Sequence, residues 1–226
     1  LRLLCTTKAR RAGELAAKLE LVNRERQQLL KESAEDALAE VRSRKLEVRS
    51  LLIVARESYE EGIIGLVAGK LVEAFYRPAI VLAIREQVSK ASVRSISGFN
   101  IIEFLRMHTE HFVNVGGHPM AAGFTIETTK IATLQKILEE NATALLSEEL
   151  LTRIVKIDCE LSFAAIDTIL YEQIQQLAPF GMGNPEPVFV SRGVTVENIR
   201  VMGKEANHLK LVLTEKKPDT KQLTKH

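Results

Sequence analysis

Apolar positions recur at helical spacing through the first part of the chain. From Thr7 to Arg44 the residues are rich in Ala, Leu, Glu, Lys, Arg and Gln, with no proline. Leu15, Leu19 and Val22 fall four and three apart, and Leu30, Ala34, Ala37, Leu38 and Val41 continue the stripe. This pattern predicts one long amphipathic helix with Thr7 as its N-cap. Asn23 to Gln28 is strongly polar and reads as a solvated face of that helix. Such a helix suits a connector between two domains. Leu1 to Leu4, ahead of it, reads as the end of a strand, and the chain as a portion of a longer protein.

The period then changes. Leu51 to Ala55 and Ala79 to Ile84 are short continuous apolar runs, the pattern of buried strands. Between them, Ile63, Ile64, Leu66, Val67, Leu71, Val72 and Phe75 repeat at helical spacing until Pro78 breaks the element. A strand–helix–strand unit with parallel strands follows from this order. Gly62, Gly65 and Gly69 predict close backbone packing. The stretch Gly65 to Lys70 imitates a phosphate-binding loop. It has one residue too few between its glycines, however, and Leu71 stands where Ser or Thr should be.

Ser89 to Ile96 reads as extended chain, so Lys90, Ser92 and Arg94 share a face. Two cations and a hydroxyl there suit an anionic oxygen cluster such as phosphate. An amphipathic strand with its polar face in water has the same pattern. Asn100 is placed to cap a helix from Ile101, with Glu103 completing a capping box. That helix carries His108 and His111. With His118 they match no metal-ligand pattern and read as surface histidines.

In Val115 to Phe124, two glycines, His118 and Pro119 predict a tight turn that presents the histidine between two ordered elements. A glycine-rich turn with a merely solvated histidine has the same spacing. Phe124 to Ile126 reads as a strand, and Ile131 to Leu146 as an amphipathic helix. After a boundary near Ser147 to Thr152, the readings are a strand at Arg153 to Leu161 and a helix at Asp167 to Leu177. A rigid, turn-rich loop follows at Ala178 to Pro187. Strands at Val188 to Ser191, Val194 to Val201 and His208 to Thr214 then predict a small, mostly β second domain with a polar tail from Lys216.

Composition narrows the function. A content of 46% hydrophobic and 27% charged residues is that of an ordinary globular chain. The net charge of +2 announces no global basic field, so any nucleic-acid site must be local. Cys5 and Cys159 match no metal or CxxC spacing. No apolar run is long enough to span a bilayer and no signal-peptide pattern opens the chain, so the expectation is a soluble, cytoplasmic protein with no membrane partner.

Several stretches, in order along almost the whole chain, resemble the C-terminal part of the RecJ family of the DHH phosphoesterase superfamily. Asn23 to Gln27 resembles the family's connecting helix, and Gly62 to Leu71 the first helix of its DHH-associated domain. Lys90 to Ser95, Gly98 to Asn100 and Gly116 to Gly123 resemble its substrate-binding signatures. Leu177 to Pro187 resembles the loop leading into its oligonucleotide-binding (OB) barrel. The resemblance implies three regions. Residues 1–45 are the end of the DHH domain and the connecting helix, 46–148 an α/β DHH-associated domain, and 149–226 an incomplete OB-like domain.

The implied parent is a metal-dependent exodeoxyribonuclease that digests single-stranded DNA 5′ to 3′ in repair and recombination. Its Mn²⁺ or Mg²⁺ is bound by a DHH domain missing here. This portion alone is expected to be inactive, with no metal ligand of its own. Lys90, Ser92, Arg94, Ser95, Asn100, Gly116, Gly117 and His118 are the implied substrate contacts. Among them Ser92 and Arg94 take the 5′-phosphate, and His118 meets the scissile phosphate and stabilises the transition state. Single-stranded DNA is the implied ligand, and helicases or single-strand-binding proteins the implied partners.

Departures from the family pattern stand at Ala91 and Val93, where glycines are usual and a bulkier residue would crowd the phosphate pocket. Ser58 to Glu61 stands where an aromatic–His pair is usual. The alternatives are a stand-alone single-stranded nucleic-acid-binding module and a DHH-family phosphodiesterase for oligoribonucleotides or cyclic dinucleotides.

Overall fold

A computed structural model describes residues 2–203 and 205–215, so the polar tail expected from Lys216 lies outside the described residues. The chain divides into two compact units, Leu1–Arg153 and Ile154–His226.

The first unit opens with a 35-residue helix, α1 (Ala9–Ser43), preceded by a turn where the end of a strand was expected. Thr7 does not cap it. Lys8 holds the cap position, and no side chain caps the helix there. The apolar stripe is used only in its C-terminal half. Ala34, Ala37 and Val41 are buried, whereas Leu19 and Val22 remain exposed.

A mixed five-stranded sheet follows, in the order β1-β2-β3-β5-β4. Its strands are β1 (Leu52–Arg56), β2 (Ala79–Ala83), β3 (Val88–Arg94), β4 (Asn114–His118) and β5 (Ala121–Glu127). Strands β1 and β2 are parallel, joined through helix α2 (Ile64–Phe75), and the other pairings are antiparallel.

Each face of the sheet has its own core. On one face, Leu52, Val54, Ala79 and Val81 pack with Ile64, Val67 and Leu71 of α2 and with Ala37 and Val41 of α1. On the other, Ile53, Ile80, Leu82, Val93, Phe124 and Ile126 pack with helices α3 (Ile101–Arg106) and α4 (Ile131–Leu145). Continuous apolar runs at β1 and β2 are what burial on both faces requires. Along β3 the alternation is strict, with Ser89, Ala91 and Val93 buried and Lys90, Ser92 and Arg94 less so.

Polar contacts tie α1 to this sheet. The Tyr59 hydroxyl, on a residue only 1% exposed, donates to Asp36 Oδ2 at 2.7 Å. Arg56 Nε lies 3.3 Å from Asp36 Oδ2 and its Nη2 lies 2.8 Å from Glu40 Oε2. Burial, then the bond to Asp36, pushes the Tyr59 phenol well above its ordinary value.

Helix α3 stops at Arg106, so His108 and His111 lie beyond it, His111 closing a short 3₁₀ turn at Thr109–His111. His108 packs edge-on against Phe104 and sits 3.4 Å from Asn141 Nδ2. Burial lowers its pKa from the ordinary value.

In the second unit, the strand expected over Arg153 to Leu161 shrinks to β6 (Cys159–Glu160), paired in parallel with β7 (Phe189–Val190). Arg153 is drawn instead to α2, where its Nη2 donates to the Glu73 carbonyl and its guanidinium stacks over Tyr76. Helix α5 (Thr168–Gln175) is capped by Asp167. The loop after it is knit by Asn184, whose side-chain amide donates to the carbonyls of Leu177 and Pro179. A long hairpin, β8 (Val194–Met202) with β9 (His208–Glu215), completes the unit, with a bulge between Val196 and Asn198.

Candidate nucleic-acid interface

The site grows from the register of β3, β5 and β4. Residues directly opposite on neighbouring strands share a face. Ser92 lies opposite Gly123, and Gly123 opposite Gly116. Arg94 lies opposite Ala121, and Ala121 opposite His118. Two rows therefore run side by side across three strands, one ending in Ser92 and the other running from Arg94 to His118. Glycine and alanine floor them, and His118 stands about 10 Å, or two strand spacings, from Arg94. A ligand can approach this floor without meeting a bulky side chain.

Helix α2 walls the rows on the β3 side. A Cβ on Gly65 would come within 2.9 Å of both Arg94 Nη2 and Ser92 Oγ. Glycine at 65 lets the first turn of α2 press onto those two side chains. Gly62, in the turn before α2, and Gly69 have nothing within 4 Å of such a Cβ, so of the three glycines only Gly65 is needed for close approach. Gly65 stands out in the sequence, but its partners do not, because no local signal ties a helix glycine to side chains on a strand distant in sequence.

The electrostatics would suit an anion. The Leu66 and Val67 amides both donate to the Ile63 carbonyl, which leaves the earlier Ile64 and Gly65 amides at the positive end of the helix. Arg94 adds a second positive group beside them. Its Nη1 donates to Ser92 Oγ at 3.3 Å and to the Val93 carbonyl at 2.9 Å, and no carboxylate pairs with it among the described residues. Two positive groups adjacent to one hydroxyl favour a bound anion.

Of the other expected contacts, Lys90 shares the face but its Nζ lies 2.6 Å from Glu61 Oε2. Asn100 spends its side-chain oxygen on the Glu103 amide as the cap of α3. Its neighbour Ile101 donates to the Pro119 carbonyl, which brings this cap beside the β4–β5 turn. Ser95 is set apart: it is buried, and its hydroxyl donates to the Phe99 carbonyl at 2.6 Å.

Gly116 and Gly117 do not form the tight turn expected of them. They lie within β4, and the turn is Pro119–Met120, with His118 exposed at the end of the strand. Gly117 is required by its neighbours: at φ +146°, a Cβ would come within 2.5 Å of Ala122 Cα. Ala91 and Val93 point into the core on the opposite face, so they do not crowd Ser92 and Arg94.

In the second unit, Arg200 lies opposite Lys210 and Met202 opposite His208, on one face of the β8–β9 hairpin. Ile199, Val201, Leu209 and Leu211 form the other face. Among the described residues no group of three or more His, Cys, Asp or Glu is arranged to hold a metal ion. No helix among them is long and apolar enough to cross a membrane.

Residues 48–144 match the DHHA1 domain and residues 157–224 the RecJ OB domain. The chain is 35% identical over 89% of its length to the single-stranded-DNA-specific exonuclease RecJ of Bacillus subtilis, of which it covers 26%. RecJ of Thermus thermophilus in complex with Mn²⁺ superposes with a TM-score of 0.79 at 26% identity, over 97% of this chain and 33% of that one. The Mg²⁺ complex of the same protein gives 0.76, over 94% of this chain and 32% of that one. The chain thus spans about a quarter to a third of the length of these relatives.

Proposed function

The chain carries the DHHA1 and RecJ OB domains of the RecJ family, and on that premise we propose that it is the strand-gripping portion of a single-stranded-DNA exonuclease. The observation that carries this reading is the packing of α2 at Gly65 against Ser92 and Arg94. The guanidinium and the helix N-terminus converge on one hydroxyl, which is the chemistry that holds a terminal 5′-phosphate. The strand then runs from that phosphate across the bare floor of Gly123 and Gly116 toward His118. At that end His118 donates a hydrogen bond to a phosphoryl oxygen and stabilises charge that develops during cleavage.

Digestion from the 5′ end, in DNA repair and recombination, is the activity this grip serves. Hydrolysis itself belongs to a DHH domain with Mn²⁺ or Mg²⁺, the two metals of the solved Thermus thermophilus complexes. Arg200 and Lys210 on the hairpin supply sequence-independent contacts to the strand's backbone.

The test is binding of the chain to fluorescent single-stranded DNA with and without a 5′-phosphate. The reading predicts tighter binding of the phosphorylated strand, and loss of that preference in Arg94→Ala and Ser92→Ala. Equal binding of both strands by a folded sample would leave only a generic nucleic-acid-binding module.

A further inference from the structure

Lys90 lies on the same face of β3 as Ser92 and Arg94, two residues from the hydroxyl, yet it does not join them. Its ammonium is held by Glu61 at 2.6 Å, and Glu61 belongs to the turn that leads into α2. Glu61 is thus anchored to the wall of the site by the chain itself. The Ile63 amide donates to the Glu60 carbonyl at 3.0 Å, which tightens that turn immediately before the helix starts.

The charge balance along the row follows. Arg94 has no carboxylate partner among the described residues, whereas Lys90 and Glu61 cancel. An anion at Ser92 therefore meets one uncompensated cation and the helix end. A second cation stands within reach on the same strand but is turned toward a carboxylate.

We infer that Glu61 is an affinity-limiting residue of this site: it withholds Lys90 from the anion and sets how tightly a 5′-phosphate is held. The inference rests on the reading of Ser92 and Arg94 as a phosphate grip. An enzyme that removes nucleotides one after another must release each terminal phosphate before the next enters, and a second uncompensated cation beside Arg94 would slow that release. With Glu61 neutralised, Lys90 is free to add a charge-assisted contact to the phosphate.

The experiment compares the full chain with Glu61→Gln, Lys90→Ala, the double variant and Arg94→Ala. Each is titrated with a 5′-phosphorylated single-stranded oligonucleotide across a salt series. Glu61→Gln, which keeps the shape of the side chain, should tighten binding by about threefold at low salt, the scale of one exposed ion pair. It should also steepen the salt dependence by about one counterion. Adding Lys90→Ala should abolish both gains.

If Arg94→Ala weakens binding but Glu61→Gln changes nothing, Lys90–Glu61 is an ordinary surface pair and the inference fails while the phosphate grip stands. If the gain persists without Lys90, Glu61 acts by direct repulsion and the withholding of Lys90 is wrong. If Arg94→Ala has no effect, the phosphate grip itself fails and takes the inference with it.

Discussion

Gly65 and Arg94, on different elements, are matched in space: a methyl group on the glycine would come 2.9 Å from the guanidinium Nη2. Ser92 Oγ would lie at the same 2.9 Å, and both atoms can move aside, the guanidinium along its flexible chain and the hydroxyl by rotation about its Cα–Cβ bond. Gly65→Ala therefore should leave the fold intact, with stability within about 1 kcal/mol of the parent, because alanine is the better helix former. The same substitution should push Arg94 off Ser92 and reduce the preference for a 5′-phosphorylated strand. A thermal melt alongside the binding titration checks both halves. Unchanged phosphate preference in a folded Gly65→Ala variant would mean that this contact has no part in the grip.

The Tyr59 hydroxyl joins the loop ahead of α2 to Asp36 on α1. Tyr59→Phe should cost about 1.5 kcal/mol, the low end for a hydrogen bond to a charged acceptor, because the Asp36 side chain is itself half exposed. Burial and Asp36 hold the folded phenol above its ordinary value of 10.0, so the neutral form is favoured on folding. That stabilisation is complete below pH 10 and is lost progressively as the pH rises above it, where the unfolded tyrosine ionises first. Denaturant melts from neutral to strongly alkaline pH should show this fall in the parent. Parallel curves for parent and Tyr59→Phe would contradict it.

Two arginines fasten the end of the first unit to α2 and the turn after it. Arg77 Nη1 donates to the Leu151 carbonyl and Arg153 Nη2 to the Glu73 carbonyl, each at 2.7 Å. Arg77→Ala with Arg153→Ala should release residues 147–153 and speed their cleavage by a protease several-fold, read by limited proteolysis with mass mapping. Cleavage at the parental rate would show that Leu146 and the apolar contacts of Leu150 and Leu151 hold the segment without them.

Arg200 and Lys210 stand side by side on one face of the hairpin. Replacing both with alanine should weaken binding to single-stranded DNA equally with and without the 5′-phosphate. The slope of log affinity against log salt should fall by about 1.4, two contacts at roughly 0.7 each. A selective loss for the phosphorylated strand would place the phosphate at the hairpin instead.

Much of this arrangement was legible in the residues, and the limits have physical causes. Period-two alternation put Lys90, Ser92 and Arg94 on one face, and the apolar runs marked β1 and β2, because burial dictates those patterns directly. Gly116 and Gly117 misled, since glycine permits a turn but equally serves a strand whose neighbour comes close, as Ala122 does to Gly117. Ala91 and Val93 suggested crowding until the register showed them facing the opposite core. The apolar spacing of Leu19 and Val22 promised burial that needs a packing partner, and the described residues supply none. Gly65 and Glu61 gained their meaning only from a strand distant in sequence.

The measurement that tests the phosphate grip most directly is amide chemical-shift mapping of the isotope-labelled chain. Spectra would be compared with the same short single strand added in its 5′-phosphorylated and unphosphorylated forms. The account predicts that the difference between the two concentrates at Ile64, Gly65, Ser92 and Arg94, with smaller changes along Gly123 and Gly116. A difference confined to the hairpin around Arg200 and Lys210, with α2 and β3 unmoved, would contradict it.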